Sequence, residues 1–213
     1  MKIQWYKIIR RVVGFTIITL FMACQKTDLP PSSYGDPILF VRGKFKNNTV
    51  DLTVGKPGIH GTPSIYQDSM INGRIYNFTL FDSITLFSPT INLSFVNYSA
   101  TNGSLTADID STFKPGNKVI ADFFNSPTNP FQLNTFTFEL NDNVDYYSSR
   151  KIFPDTSECK IDSVKDLTWH DGNIYKLVYM SFSLMLVPAN VPQDSSKWFR
   201  FTEGKATIAF PKK

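Results

Sequence analysis

The chain has 213 residues, of which 22 are basic and 18 are acidic, so its formal net charge is +4. Four basic residues and no acidic ones lie within the first eleven positions, and without them the charges balance at 18 and 18. This balance excludes the retained basic face that a nucleic-acid-binding surface needs. Two cysteines and two histidines in the whole chain also disfavour a disulfide framework and a closed zinc site.

The N-terminal segment has the pattern of a secretory signal peptide. Its basic start is followed by a mostly apolar stretch from Val12 to Ala23. A stretch of this length is too short to span a bilayer, which needs about 20 apolar residues. We therefore predict a signal peptide over residues 1–23 and a mature chain that begins at Cys24.

The segment Phe21-Met22-Ala23-Cys24 resembles the lipobox of bacterial lipoproteins, and its bulky Phe21 is similar to the form found in Bacteroidota. The resemblance implies an outer-membrane lipoprotein of the cell envelope, held in the membrane by acyl chains on Cys24. Stable attachment takes more than one chain, and such lipoproteins carry two or three. The residues Gln25-Lys26-Thr27-Asp28 are similar to a short export signal, which implies exposure at the cell surface.

The residues after Cys24 are predicted to form a tether over 24–36. Pro30-Pro31, Ser32-Ser33 and Gly35 favour an extended, semi-flexible linker. The rest of the chain, residues 37–213, is long enough for one ordinary hydrophobic core.

The rest of the chain has the composition and patterning of a β-domain. Phenylalanine and tyrosine are abundant, and short alternating runs separated by turn residues replace any sustained helical period. Strands are predicted, in chain order, at 38–45, 49–54, 64–71, 74–81, 91–98, 119–124, 131–140, 161–169, 174–187, 198–202 and 205–210. Residues 55–63 are predicted to form a loop, and residues 101–116 are predicted to be mostly turn.

The C-terminal third carries the strongest hairpin signals. Asp171-Gly172 separates the runs 161–169 and 174–187, and Asp-Gly between two such runs indicates a hairpin. Every second residue from Ile174 to Leu186 is apolar except Lys176, which predicts a core-facing strand. A last hairpin is predicted to turn at Glu203-Gly204.

About ten strands without a long helix predict an all-β fold, an antiparallel β-sandwich. A partly closed β-barrel and two small β-domains split near Gly116 are the alternatives. The segments 37–43, 50–55 and 159–186 resemble uncharacterised Bacteroidota lipoproteins. This resemblance implies a shared β architecture and secretion route, and it carries no known activity.

The sequence predicts no catalytic residue, no cofactor and no metal site. It contains no Walker-type phosphate loop, dinucleotide fingerprint or nucleophile elbow. Its three glutamates do not allow a carboxylate pair for glycoside hydrolysis to be assigned. Asp108-Ile109-Asp110 and Asp142-Asn143-Val144-Asp145 place oxygens close together, as calcium prefers, but neither has the spacing of an EF-hand loop. Aspartate and asparagine also cap their own backbone in turns, which is the simpler interpretation.

Three further residues of reactive types have simple structural interpretations. Cys159 is interpreted as a small, partly buried hydrophobic residue without a disulfide partner. His60 lies between glycines and is predicted to face solvent in a loop, and His170 is predicted to belong to the Asp-Gly turn.

Four triplets share the pattern Asp-Ser followed by an aliphatic residue, Met or Thr. They are Asp68-Ser69-Met70, Asp82-Ser83-Ile84, Asp110-Ser111-Thr112 and Asp162-Ser163-Val164. The pattern resembles the O-glycosylation sequon of secreted Bacteroidota proteins, which implies sugars on Ser69, Ser83, Ser111 and Ser163. The alternative is that these Asp-Ser pairs bond local backbone at turns and strand ends.

Trp169 and Trp198 lie at predicted hairpin ends, where a flat ring with a polar edge suits stacking on a sugar. The alternative is that both rings pack over the rim of the core. The sequence thus predicts a non-enzymatic, lipid-anchored binding or accessory module whose partner is a glycan, another envelope protein or a host surface. A structural subunit built by strand donation and a carbohydrate-active hydrolase are the alternatives.

Overall fold

In the computed structural model, residues 38–68, 73–84, 89–97, 105–120, 135–150 and 156–212 are described, and strands dominate them. The strands are β1 (Phe40–Phe45), β2 (Asn48–Thr53), β3 (Ile59–Asp68), β4 (Gly73–Asp82), β5 (Thr90–Asn97), β6 (Gly116–Asn117), β7 (Val119–Ile120), β8 (Thr135–Asn141), β9 (Tyr146–Ser149), β10 (Glu158–Thr168), β11 (Ile174–Pro188) and β12 (Phe199–Pro211). One α-helix, α1 (Leu105–Thr112), and a 3₁₀ turn at Ser195–Lys197 complete the described elements.

The twelve described strands form one sheet in the order β2-β1-β12-β11-β9-β8-β5-β4-β3. β10 pairs with β11 and with the short β6, and β7 is the one parallel strand, beside β8. The sheet curls until it is nearly closed. The predicted all-β antiparallel class is therefore confirmed, and the partly closed barrel describes the curvature of the sheet.

The interior of the barrel is filled by alternate side chains of the long strands and is rich in aromatic rings. Phe138 packs against Phe182 and Phe201 with ring centroids 5.3 and 5.0 Å apart. The predicted core face of β11 is confirmed from Val178 to Leu186, where every second side chain is buried. Its first member, Ile174, is 39% exposed, because β11 extends beyond the core at this end.

The prediction that residues 101–116 are mostly turn is wrong, because α1 lies within them. Ile109 in the helix and Phe113 directly after it are fully buried. Because they are four positions apart, both side chains lie on the side of the helix that meets the sheet. The helix has only two turns, which is too short to give a sustained apolar period in the sequence.

Phe113 joins this end of the helix to three strands. Its ring stacks on Phe210 with a centroid distance of 4.9 Å and an interplanar angle of 18°. Its edge contacts are with Phe95 at 4.9 Å and Tyr76 at 5.3 Å. The helix is therefore part of the core rather than an addition to the surface.

The predicted hairpin at Glu203-Gly204 is also wrong, because β12 runs through these residues without reversing. Glu203 has a positive φ of 54°. Next to it, the pairing register of β12 shifts against both neighbouring strands, β1 and β11. The two residues therefore form a bulge, which produces the same sequence signal as a turn. A Cβ at Gly204 would lie 2.4 Å from the Phe182 ring, so the bulge also lets the aromatic core approach the backbone.

The predicted loop at 55–63 is shorter than expected, because β3 begins at Ile59 and contains Pro63. Proline lacks the N–H group that a central strand needs, so it is tolerated in a strand mainly at a sheet edge. β3 is such an edge, since β4 is its one partner among the described residues.

Apart from 64–71, which begins five residues after the start of β3, the other predicted strands agree with the structure within three residues wherever they are described. The prediction 119–124 is confirmed at its first two residues, and the described part of 131–140 is strand from Thr135. Residues 69–71, 98, 121–124 and 131–134 of these predictions lie outside the described residues. β9 was not predicted, because its Tyr-Tyr-Ser-Ser sequence has no apolar alternation.

Replacing the buried ring of Phe113 should destabilise the fold strongly. We expect Phe113→Ala to lower the free energy of unfolding by about 3–4 kcal/mol, because it empties the space between three aromatic partners. The neighbouring exposed variant Lys114→Ala should change it by less than about 0.5 kcal/mol. Urea unfolding of both variants measures the difference, and equal stabilities would contradict the packing of α1 described above.

Candidate functional site

The hairpin between β10 and β11 ends in a tight, exposed turn. The N–H of Trp169 donates to the carbonyl of Asn173 at 2.8 Å, and the N–H of Gly172 donates to the carbonyl of Trp169 at 2.9 Å. Gly172 has a φ of 79°, the left-handed conformation that closes a three-residue hairpin loop. The predicted Asp-Gly hairpin is therefore confirmed, with the turn residues His170 and Asp171 exposed at its end.

This turn carries three aromatic rings, those of Trp169, His170 and Tyr175, beside the polar side chains of Asp171 and Asn173. We call these five residues the aromatic tip. The ring of Trp169 lies 5.2 Å from the ring of Tyr175 and 6.2 Å from that of His170. Trp169 and Tyr175 are half-buried against the edge of the core, whereas the other three residues are exposed. The tip thus presents a supported aromatic surface with polar groups beside it.

Asp171 supplies the anionic group of the tip. Its carboxylate accepts hydrogen bonds from the backbone N–H of Asn173 at 2.8 Å, the Asn173 side-chain amide at 3.0 Å and the Tyr175 hydroxyl at 3.0 Å. The bonds from the side chain and backbone of Asn173 lower the pKa of Asp171. Partial burial and the neighbouring carboxylate raise the pKa of Tyr175. At neutral pH the tip therefore holds an ionised acceptor next to a neutral phenol.

The base of the hairpin is held by four charged side chains, which we call the charge network: Asp110, Asp166, Lys176 and Lys212. The Nζ of Lys176 lies 2.6 Å from Asp110 and 2.5 Å from Asp166, and the Nζ of Lys212 lies 3.2 and 2.7 Å from the same carboxylates. The lysines are 8% and 9% exposed. Because its members come from α1, β10, β11 and the residue after β12, the network fixes the hairpin to the helix and the C-terminal strand.

Partial burial raises the pKa values of Asp110 and Asp166, but hydrogen bonds from Lys176 and Lys212 outweigh it and lower both below 3.8. Hydrogen bonding to Asp166 raises the pKa of Lys212 above 10.5. All three shifts favour the charged forms, so Asp110, Asp166 and Lys212 are ionised at neutral pH.

Trp198, the second predicted stacking residue, lies far from the aromatic tip. Its indole N–H donates to the carbonyl of Pro192 at 3.1 Å, and it directly precedes Phe199, which pairs with Leu186 at the far end of β11. Trp169 lies beyond Ile174 at the near end of the same strand. At a rise of about 3.3 Å per residue, Ile174 and Leu186 are roughly 40 Å apart along β11, so the two rings lie near opposite ends of the strand. The structure therefore does not bring the two tryptophans into one site.

Three of the four aspartates in the candidate calcium segments are paired with basic side chains, whereas Asp145 accepts hydrogen bonds from Tyr147 and Asn190. Asp108 forms an ion pair with Arg74, and Asp110 belongs to the charge network. Asp142 lies 2.9 Å from the Nζ of Lys46. Within the ranges described above, no group of three or more His, Cys, Asp or Glu side chains is placed to hold a metal ion.

Lys46 itself lies over three aromatic rings beside Asp142. Its Nζ is 4.7 Å from the ring centroid of Tyr147, 4.9 Å from that of Phe199 and 5.3 Å from that of Phe45. Tyr147 is buried in the core, so it is not available to stack on a ligand. These rings stabilise the lysine of the β1–β2 turn by cation–π contact.

The serines of the Asp-Ser triplets differ in exposure. Ser83 and Ser163 are exposed on the surface. Ser111 is half-buried: its hydroxyl donates to the carbonyl of Asp108 at 2.9 Å and accepts from the Asn97 amide at 3.2 Å, so a sugar there would disturb the contact between α1 and β5. Ser69 and the predicted lipidation site Cys24 lie outside the described residues.

Cys159 and His60 have structural surroundings. Cys159 is buried in β10, and burial raises the pKa of its thiol, which opposes formation of a reactive thiolate. His60 is exposed but lies in β3 rather than in a loop, with its Nε2 atom 3.0 Å from the Ser83 hydroxyl. Its ring stacks on Phe81 at 5.3 Å.

Sequence reasoning missed the charge network and found the aromatic tip only in part. Lys176 interrupts an otherwise apolar alternation in β11, and a buried lysine of this kind indicates an acidic partner. One such partner, Asp166, lies opposite Lys176 in the hairpin and could have been found from its register, whereas Asp110 lies 66 positions earlier in the chain.

No family model matches this sequence, and no curated protein or solved structure matches it at a significant level. In the part of the chain that the structure describes, no helix has the length and apolar character needed to cross a membrane.

Removing one carboxylate of the charge network should make the stability of the protein less dependent on pH in the acidic range. Because folding lowers the pKa of Asp166, its stabilisation is present above pH 4 and is lost as the pH falls through the lower folded value. We expect Asp166→Asn to lower the melting temperature by about 2–4 °C at pH 7, corresponding to about 1 kcal/mol for a half-exposed carboxylate. The difference from the unmodified protein should shrink as the pH falls below 4.

Thermal melts between pH 2 and pH 7 measure this difference. Glu158→Gln on the same strand is the matched control, because Glu158 is exposed and has no ion pair with any described residue. A difference for Asp166→Asn that is the same at every pH would contradict the role of the ionised network.

Proposed function

We propose that this chain is a lipid-anchored module of a bacterial cell envelope, which binds a glycan through the aromatic tip and does not catalyse a reaction. The observation that carries the binding proposal is the pairing of the Trp169 and Tyr175 rings, 5.2 Å apart, beside the exposed carboxylate of Asp171.

The chemistry of the tip suits a sugar ring. A pyranose has an apolar face of C–H groups, which stacks on an aromatic ring, and a rim of hydroxyl groups. Asp171 offers an ionised acceptor for those hydroxyls, and the exposed amide of Asn173 offers both a donor and an acceptor. A hairpin end also projects from the barrel, so it reaches a large polysaccharide without opening the fold.

The rigidity of the site supports the same proposal. The charge network joins the base of the hairpin to α1 and to the end of β12, with ion-pair distances from 2.5 to 3.2 Å. A platform that is ordered before binding loses less conformational entropy when the ligand arrives.

The anchoring part of the proposal rests on the sequence. The basic start, the short apolar stretch and the lipobox-like residues before Cys24 favour secretion and acylation. The tether over residues 24–36 is long enough to hold the domain up to about 40 Å from the membrane surface. This separation suits a module that must reach a glycan beyond the lipid headgroups.

Loss of the tryptophan ring at the tip should remove glycan affinity without unfolding the protein. We expect Trp169→Ala to weaken binding roughly tenfold or more, because both ring stacking and buried area are lost. Trp198→Ala is the matched control, since it removes the same ring at the opposite end of β11. The full chain and both variants would be applied to an array of bacterial and host glycans, with affinities measured by calorimetry.

Thermal melts of the same samples separate binding from folding. Equal loss of affinity in Trp169→Ala and Trp198→Ala, or no binding of the intact protein to any glycan, would overturn the assignment of the tip.

The anchor is tested by changing the acylated residue. We expect the unmodified chain, expressed in a Bacteroidota host, to enter the detergent-soluble membrane fraction and to incorporate a labelled fatty acid. Cys24→Ser should abolish the label, because serine lacks the thiol to which the first lipid is attached. Cys159→Ser is the control for labelling of the other cysteine. Equal labelling of Cys24→Ser and the unmodified chain would contradict the proposed anchor.

A further inference from the structure

The second surface of interest is the free edge of β2, on a different part of the barrel from the aromatic tip. β2 pairs with β1 and with no other strand among the described residues. The N–H of Val54 donates to the carbonyl of Leu39 at 2.9 Å. This bond shows which residues of β2 form backbone hydrogen bonds with β1 and which point the other way. Even-numbered residues of β2 therefore bond to β1, whereas Thr49, Asp51 and Thr53 direct their N–H and C=O groups away from it.

The outward groups of Thr49 and Asp51 are the ones available to a partner. The carbonyl of Thr53 already accepts the N–H of Lys56 at 3.2 Å, where the chain leaves the strand. No backbone partner in the described part of the chain lies opposite Thr49 or Asp51 on this side.

The edge at β3, the other end of the main strand order, is less suited to pairing. The N–H of Ser83 donates to the carbonyl of Gly58 at 2.8 Å, so the odd-numbered residues of β3 face outward. Pro63 is one of them and has no N–H group, which interrupts the edge near its middle. β2 contains no proline, so its edge keeps every donor.

A cavity of about 340 Å³ runs beside the free edge of β2, and we call it the edge groove. Five consecutive residues of β2, Asn48 to Leu52, line it. Side chains of a strand alternate between faces, so a cavity that meets five residues in a row meets the backbone edge of the strand. Its opposite wall includes Pro89 and Leu140, which makes part of the groove apolar.

The charged residues that line the groove are Lys46, Asp51 and Asp142, and two further basic side chains lie beside Asp51 outside the groove. Asp51 lies 3.0 Å from Arg42 and 2.8 Å from Lys56, and both basic side chains are about half exposed. Asp142 at the other end is matched by Lys46. Two cations thus share the single carboxylate of Asp51 on the outward face of β2, which leaves one positive charge for a partner.

We propose that an extended peptide segment of another protein adds to the free edge of β2 as a further strand. Its backbone pairs with Thr49 and Asp51, alternate apolar side chains enter the edge groove, and an acidic side chain on the opposite face meets Arg42 and Lys56. The repeating pattern of N–H and C=O groups along β2 is matched by another extended backbone and not by a compact solute.

Thr49 allows a variant that removes one donor from the edge without touching the β1 ladder. Thr49→Pro deletes the outward N–H, and proline is tolerated at such edge positions. Thr49→Val is the matched control, because it keeps the N–H and the branched shape of an exposed side chain. Circular dichroism of both variants establishes that the barrel is intact.

The probe is a phage-displayed library of linear ten-residue peptides, selected against the full chain purified in detergent. We expect enriched peptides with alternating apolar residues and an acidic residue, which bind Thr49→Val as tightly as the unmodified chain. Binding to Thr49→Pro should weaken by about tenfold or more, because one ladder bond is lost and the ring blocks the approaching strand.

Amide hydrogen exchange gives a readout that does not depend on the variant. The amides of Thr49 and Asp51 should exchange rapidly in the free protein and slowly with the peptide bound, while those of Val50 and Leu52 stay protected throughout. The absence of enriched peptides, equal binding to Thr49→Pro, or protection confined to other residues would overturn the proposal. Self-association of the chain that Thr49→Pro abolishes would also overturn it, since a second copy would then occupy the edge.

Discussion

The strand β11 constrains the positions of most other elements, because it is fifteen residues long and pairs with β9, β10 and β12. Between Val178 and Leu186 every second side chain is buried, and a slip of one residue would turn these side chains out of the core. This register places the β10 hairpin at one end of the strand and Trp198 at the other. The separation of the two tryptophans therefore follows from core packing alone.

The same strand connects the core to the aromatic tip. Near the start of β11, Lys176 occupies a position that would otherwise be apolar. Its charge is neutralised by Asp110 and Asp166. A lysine buried without partners would be strongly destabilising, so the helix and the hairpin must both be in place when the barrel is complete. The two buried lysines thus hold the hairpin that carries the tip to the helix, because each of them needs both aspartates as partners.

The sequence predicted those features that depend on residues close together in the chain better than those that depend on residues far apart. The β10–β11 hairpin was found because Asp171-Gly172 and the flanking alternation are local and agree with each other. Glu203-Gly204 gave an equally local signal, but a bulge and a turn both use a residue with positive φ, and only pairing with β1 and β11 decides between them. The pairing of Lys176 with Asp110, the contacts of Lys212 and the free edge of β2 depend on distant segments, which no local pattern reveals.

We propose that the aromatic tip, rather than any other aromatic surface, binds the glycan. The most direct test is nuclear magnetic resonance of the indole N–H groups during titration with envelope polysaccharide fragments, assigned with the variants Trp169→Phe and Trp198→Phe. We expect the Trp169 indole signal to shift progressively with added glycan, while the Trp198 signal, whose N–H donates to the carbonyl of Pro192, stays in place. A shift of Trp198 alone, or no shift of either indole with any fragment, would contradict it.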